Sequence, residues 1–279
     1  MKIAFIGAGK VSAALGLYFK NNGFEIGGYY SIGGASAGKA AQLTSSTHYS
    51  SLERLINDNQ LIWIATPDDQ IEKVVQQISH LEITGKTDKL ILHVSGVYSL
   101  SILDPLKVTG YQTGSAHPLL AFGDPVVTQQ TLHGAWFAVE KGEEDNGRLN
   151  LLLESCGNPT FTVTPGRKPL YHAAACLLSN YLVTLMDASY RIFERSGLPA
   201  DKVREATWPL FESVVRNLNE KEPKEALTGP VKRGDSNTVR LHLESLRIHM
   251  PEMSALYTLL GKETVRLSGN HSLEALFEE

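Results

Sequence analysis

The chain opens with Lys2-Ile3-Ala4-Phe5-Ile6-Gly7-Ala8-Gly9-Lys10-Val11, an apolar run that stops on glycine and passes straight into a helical pattern of Val11, Ala14, Leu15 and Tyr18. Four apolar residues bounded by glycine are too few for a buried helix and read as a strand. A strand that turns on glycine into a helix N-terminus is suited to holding a diphosphate. Gly7 permits the tight turn, Gly9 has no side chain to hold phosphates away, and the helix's free amides and dipole attract negative charge. Ser12 stands where a third glycine is usual and is small enough to keep helix and strand close. Gly7, Ala8, Gly9, Lys10 and Val11 are therefore the first candidate cofactor-binding residues. The spacing alone also fits an ordinary glycine turn; its place between a strand and a helix favours the nucleotide.

Strand and helix patterns then alternate. Strands are expected over 24–31, 48–50, 61–65, 89–94, 135–140 and 160–164, with helices over 37–43, 71–78 and 149–155. Strands written as continuous apolar runs fit a parallel sheet covered on both faces, so the expected fold class is α/β with a doubly wound parallel sheet. In such sheets ligands bind beyond the carboxyl ends of the strands, where Thr66, Pro67, Ser95 and Gly96 fall. Gly114 to Leu119, with His117, reads as a further tip, and Asp68 or Asp69 as the cap of the helix that follows Pro67. The second strand ends in Tyr30-Ser31-Ile32, without the carboxylate that usually binds an adenosine ribose. This favours NADP, with NAD as second choice, and makes Ser31, Ser36 and Lys39 candidates for a 2′-phosphate; the alternative is a solvated loop.

After Thr164-Pro165-Gly166 the character changes and no convincing strand follows. The expected domains are a dinucleotide-binding domain over 1–165 and an all-helical domain over 166–279. Residues 169–196 contain no glycine and no proline after Pro169 and read as one amphipathic helix, ~40 Å long at ~1.5 Å per residue. One face carries a polar stripe of His172, Cys176, Ser179, Asn180, Asp187 and Arg191. Such groups must bond neighbouring helices or line a cavity, since an unpaired buried one costs ~1–3 kcal/mol. Helices are also expected over 201–218, with Pro209 as a kink, from an Asp235 cap to about 249, and over 251–268. Between them Thr228 to Asp235 forms a charged, glycine-bounded turn that either caps a helix or offers Arg233 to an anion.

A formal charge of −4 without a basic run disfavours nucleic acid and anionic membrane as partners. Two cysteines without CxxC spacing give no disulfide framework or zinc site, and the four-residue apolar run at the start is too short for an export signal. Ala173 to Met186 is too short and too polar to span a bilayer. A cytoplasmic location is expected. His93, His117 and His172 lack ligand spacing, so no metal is expected. Cys176 reads as packing rather than as a nucleophile.

Taken together, the chain resembles a known group. Gly7-Ala8-Gly9-Lys10-Val11, Thr66-Pro67-Asp68-Asp69, His93-Val94-Ser95-Gly96 and Ser115-Ala116-His117-Pro118-Leu119 carry the likeness. So do Tyr171-His172-Ala173-Ala174-Ala175, Ser179-Asn180-Tyr181 and Leu227-Thr228-Gly229-Pro230 with Arg233-Gly234-Asp235. These resemble Rossmann-like proteins whose C-terminal half is a domain of unknown function, grouped with pyrroline-5-carboxylate reductase and the deazaflavin-dependent NADP oxidoreductases. The resemblance implies an NADP-type Rossmann domain followed by a helical domain of the 6-phosphogluconate dehydrogenase-like kind, which commonly builds a homodimer. The wider superfamily uses a Lys-x-x-x-Asn pair on the interdomain helix. If Asn180 is that asparagine, Cys176 holds the lysine position, a departure that speaks against simple 3-hydroxyacid dehydrogenase chemistry.

The resulting expectation is an NADP-dependent oxidoreductase that transfers hydride to or from a small carbonyl, hydroxy or imine compound bound between the domains. His172 is the expected general acid/base, with Asn180 and Ser95 orienting the substrate. His117 and Arg233 are the expected substrate contacts. The alternative is a non-catalytic dinucleotide-binding sensor or assembly protein.

Overall fold

In the computed structural model, which describes residues 1–141 and 147–278, the opening strand β1 (Lys2–Ile6) sends alternate side chains to opposite faces of a sheet. Ile3 and Phe5 join one apolar cluster, Ala4 and Ile6 another. β4 (Leu61–Ile64) and β5 (Leu90–His93) repeat the division, with Leu61, Trp63 and Leu92 on the first side and Ile62, Ile64 and Ile91 on the second. Both faces are apolar because both are covered. α1 (Lys10–Asn21), α2 (Ala35–Thr44) and α7 (Arg148–Ser155) bring Leu15, Ala40 and Leu152 to the first; α3 (Leu52–Asp58), α4 (Asp68–Ser79) and α5 (Asp104–Val108) bring Leu55, Val75 and Leu106 to the second.

With β2 (Glu25–Tyr30), β3 (Thr47–His48), β6 (Gln112–Pro118), β7 (Phe137–Lys141) and β8 (Thr160–Phe161), the strand order is β3-β2-β1-β4-β5-β6-β7-β8. Strands β3 through β6 pair in parallel. The direction of winding reverses between β1 and β4, the position in such a sheet where ligands bind. This is the doubly wound α/β class expected from the sequence. At the far edge β7 runs antiparallel to β6, and β8 parallel to β7, so the sheet is not parallel throughout. The chain reaches β7 through α6 (Pro125–Thr131), a short helix that the sequence pattern did not reveal. Residues 112–118 form a full strand rather than only a tip.

Two local expectations are corrected. Asp68 and Asp69 do not cap α4: Pro67 holds the cap position, and the carboxylates lie in the first turn, where they favour the helix dipole. The helix expected over 169–196 is two helices, α8 (Lys168–Leu178) and α9 (Asn180–Arg195). Ser179 interrupts them with φ −118° and ψ −79° while its hydroxyl donates to the Ala175 carbonyl at 2.7 Å. The same back-bond recurs at Thr184, Ser189, Thr207 and Thr264 inside unbroken helices, so the break is carried by the Ser179 backbone angles, which the apolar pattern does not contain. The stripe from His172 to Arg191 therefore does not lie on one helix.

The two compact units of the chain divide in sequence between Ser179 and Asn180, rather than at the expected residues 165 and 166, so α8 belongs with the sheet. The second unit is helical: α9, α10 (Ala200–Glu220, with Pro209 inside), α11 (Pro223–Ala226), α12 (Pro230–Arg233), α13 (Ser236–His249) and α14 (Pro251–Ser268). Val239, Leu243, Val265 and Phe277 form one of its cores. Asp235 caps α13 as expected, accepting from the Thr238 amide at 3.1 Å. No helix among the described residues is long and apolar enough to cross a membrane.

Candidate functional site

A cleft of about 530 Å³ lies at the carboxyl ends of the strands in the first unit, floored by the glycine turn, Thr66-Pro67, Ser95-Gly96, His117 and His172. A second pocket of about 290 Å³ shares Gly9, Thr66 and Pro67 with it and extends to Ser31 and Ser36.

The two glycines of the turn serve different purposes. Gly7 has φ +92°, and a Cβ there would lie 2.5 Å from the Ala65 carbonyl oxygen, so glycine is required by the fold itself. Gly9 has an ordinary φ of −80°, and a Cβ there would meet no protein atom within 4 Å. Gly9 starts α1 without any side-chain cap, leaving the first-turn amides unclaimed by side chains beside the cleft. Ser12 is fully buried and donates its hydroxyl to the Gly9 carbonyl at 3.1 Å. Thr66, which lines both pockets, has a buried Oγ1 with no protein partner. An open cradle, helix amides and an orphaned hydroxyl fit an elongated diphosphate ligand.

At the Ser31 end, the Ser31 oxygen accepts from the Ser36 hydroxyl at 2.9 Å and from the Ala37 amide at 3.2 Å. Lys39 is exposed and does not line this pocket; the lysine that does is Lys73 of α4. Lys39 lies in α2, directly after β2 in sequence, whereas Lys73 comes from α4 in a later βα unit, out of reach of a local sequence pattern.

The opposite wall is built from side chains. Gly96 is buried under two imidazoles, where a Cβ would run into the His172 ring and lie 2.9 Å from His117 Nε2. The rings of His117 and His172 stand edge to face with centroids 5.8 Å apart. His117 Nδ1 and the Tyr171 hydroxyl are 2.7 Å apart. His172 Nδ1 lies 3.7 Å from Cys176 Sγ. Burial first, then the neighbouring His172 and Lys168, push the His117 imidazole down to about 4, while burial pushes the Tyr171 phenol up to about 12. Ser95 is turned into its own loop: its oxygen accepts the amides of Val97 and Tyr98, each at 3.1 Å.

Behind the imidazoles is a cluster that the sequence reading missed. Lys168 is buried, with Nζ donating to the Tyr98 carbonyl at 2.7 Å and the Ser115 hydroxyl at 2.8 Å, and paired with Glu140 Oε2 at 3.0 Å. His93 is buried beside it, held down to about 3 by burial and then by the Lys168 charge, with Nδ1 accepting the Ser95 amide at 3.2 Å. Of the remaining expected site residues, Asn180 opens α9 and Arg233 ends α12; both are exposed and belong to the second unit. No group of three or more His, Cys, Asp or Glu side chains converges as a metal site among the described residues.

Comparison with known proteins agrees with this architecture. Residues 1–118 match a family model described as a Rossmann-like domain, and residues 135–264 match a domain of unknown function, DUF2520. The chain joins a Rossmann-like domain to a helical one. No curated protein matches it. A solved structure from Bacteroides fragilis, named as an NADP oxidoreductase, is 24% identical over 94% of this chain and 96% of its own, with a TM-score of 0.76. A protein from Thermotoga maritima is 24% identical over 96% of this chain and 99% of its own, with a TM-score of 0.70. An imine reductase from Myxococcus stipitatus, in complex with NADP+, is 14% identical over 100% of both chains, with a TM-score of 0.66. At these identities the likeness is one of fold.

Proposed function

We propose that the chain is an NADP(H)-dependent reductase or dehydrogenase acting on a small carbonyl, hydroxy or imine compound. The observation that carries this reading is the cleft itself, which runs from a glycine cradle open to a ligand to a pair of imidazoles packed over Gly96. The first-turn amides of α1, Gly9 and the Thr66 hydroxyl would hold the diphosphate, and Ser31, with Lys73, the adenosine end. Bound there, the nicotinamide cofactor supplies or accepts hydride. The solved relatives from Bacteroides fragilis and Myxococcus stipitatus, one named for NADP and the other holding it, favour NADP over NAD.

The two histidines then divide the remaining work. We assign the Tyr171 hydroxyl, protonated at working pH, as the donor to His117 Nδ1 2.7 Å away, an assignment that places the ring hydrogen on Nε2. His117 is neutral at working pH and acts as a hydrogen-bond donor that polarises the carbonyl or imine. His172 gives or takes the proton as general acid/base. Ser95 acts by closing the turn that presents Gly96 rather than by touching substrate. The roles expected of Asn180 and Arg233 are retained as part of the proposal; alanine at either position is expected to raise the substrate KM about tenfold without changing NADPH affinity. Exposed Leu182, Val183, Leu185, Leu210 and Val214 on α9 and α10 support the expected homodimer, which sedimentation of the purified chain tests.

The deciding experiment is fluorescence titration with NADPH and NADH side by side, followed by a panel of ketoacids, aldehydes and cyclic imines with NADPH oxidation as the readout. Binding with turnover supports the enzyme. Binding without turnover across the panel favours the sensor, and no binding at millimolar nucleotide removes both.

A further inference from the structure

A buried charge with every hydrogen accounted for lies not in the cleft but behind its histidines. Lys168 Nζ has three hydrogens and three acceptors: the Tyr98 carbonyl, the Ser115 hydroxyl and the Glu140 carboxylate, on a loop, β6 and β7 respectively. Glu140 Oε2 in turn accepts the Leu100 amide at 2.9 Å and the Ser115 hydroxyl at 3.1 Å. The lysine side chain is 2% exposed and the glutamate 15%. An ion pair buried to this degree is a poor source of net stability, because well-packed apolar residues of similar volume do as well or better. What it supplies is direction, since sliding the helix would strand a charge.

Lys168 is the first residue of α8, and Tyr171 and His172 follow three and four positions later, on the same side of the helix. We propose that Lys168 is a positioning residue. Its ammonium fastens the first turn of α8 to β6, β7 and the 95–100 loop, and so fixes where Tyr171 and His172 stand against His117. It deepens the reading of the cleft as a reductase site and rests on that reading for its catalytic consequence, but not for its structural one. A hydrophobic plug at 168 would fill the same space without fixing the register. It would also remove the positive charge that helps keep His93 and His117 neutral.

Lys168→Met alone leaves Glu140 without its ammonium and is expected to unfold at markedly lower urea. The informative variant is therefore Lys168→Met/Glu140→Gln, which removes both charges and keeps an acceptor for the Leu100 amide. Its imidazoles are followed by NMR titration, together with the cross-peaks between the His117 and Tyr171 rings, NADPH affinity and, with a substrate in hand, turnover. The double variant is expected to fold and to bind NADPH within about twofold of the native chain. Its His117 midpoint is expected to rise by about one pH unit, the cross-peaks to weaken, and kcat to fall by about tenfold or more with KM for NADPH unchanged. A folded double variant with the native His117 midpoint and native cross-peaks overturns the positioning role. Failure of the native chain to bind NADPH sinks the reductase reading instead, and leaves the NMR result to judge Lys168 alone.

Discussion

The two walls of the cleft solve opposite problems with opposite materials. The α1 wall offers backbone: two glycines, a helix start without a side-chain cap, and empty space where a Cβ at Gly9 would stand. The α8 wall offers side chains, several of them braced by another: His117 by Tyr171, Ser115 by Lys168, and Lys168 by Glu140. A diphosphate needs several amides at once and no intruding atoms, which a local turn provides. Moving a proton to a defined atom requires fixed donors, which in a folded chain must be braced from elsewhere. The first wall should therefore be sensitive to what is added and the second to what is taken away.

The largest effect is expected on the second wall. His172→Ala should lower turnover by about 10³-fold while leaving NADPH affinity within error, since general acid/base groups contribute roughly 10²–10⁴. Steady-state rates and a nucleotide titration on the same preparation check both halves; unchanged turnover would remove His172 from the chemistry. The acid limb of stability tests the same wall without a substrate. His117 titrates near 4 in the fold and at ~6.5 in an unfolded chain, so the unfolded state binds the proton first as pH falls. The stability this group contributes is complete above pH ~6.5 and drains away as the pH drops through its folded value, about 3 kcal/mol in all and most of it by pH ~4.5. Urea unfolding at pH 7 and pH 4.5 should show that loss in the native chain. In His117→Asn the loss should shrink by most of that amount, with His93, depressed in the same direction, accounting for part of the remainder.

The first wall was legible from the sequence because it is local: residues 2 to 12 contain the strand, the turn, the cradle and the helix start. β1, β4 and β5 were legible for a related reason, since burial on both faces makes them almost wholly apolar. The second wall was legible only in part. His117 and His172 stood out as residue types, but nothing in Lys168 or Glu140 marks them as partners, and they meet only because β7 pairs with β6 and α8 follows β8. Tyr171 lay within a noticed motif, yet its role depends on a ring 54 residues earlier in the chain. The break at Ser179 escaped notice for a different reason: it lies in the backbone angles of one residue, while its flanks contain no glycine or proline to mark it.

Gly9→Asp probes the first wall by addition. A Cβ there has room, so the fold should tolerate the change, but the carboxylate would stand where the diphosphate is proposed to lie. NADPH affinity is expected to drop about 100-fold, close to 3 kcal/mol, with the thermal midpoint nearly unchanged. Gly7→Ala is the contrasting variant: its φ of +92° and the Ala65 carbonyl oxygen 2.5 Å from the new Cβ should cost stability before affinity is measured. Equal loss of affinity in the two folded variants would mean that the turn matters only as a shape, and that no ligand occupies the space above Gly9.

The smallest effect, and the one that separates holding from reacting, is expected of Tyr171→Phe. The ring packs edge to face against both Phe161 and His117, and phenylalanine keeps both contacts. Only the hydrogen bond to His117 Nδ1 is lost, so the imidazole becomes free to carry its hydrogen on either nitrogen. If His117 works by presenting Nε2–H, a mixed population of tautomers should lower kcat by about three- to tenfold, in keeping with the ~1 kcal/mol of one hydrogen bond. NADPH affinity and the thermal midpoint should hardly move. ¹⁵N chemical shifts of the His117 ring report the tautomer directly. A ring still wholly in the Nε2–H form in Tyr171→Phe would show that something other than the phenol sets it, and the division of labour between the two imidazoles would have to be assigned anew.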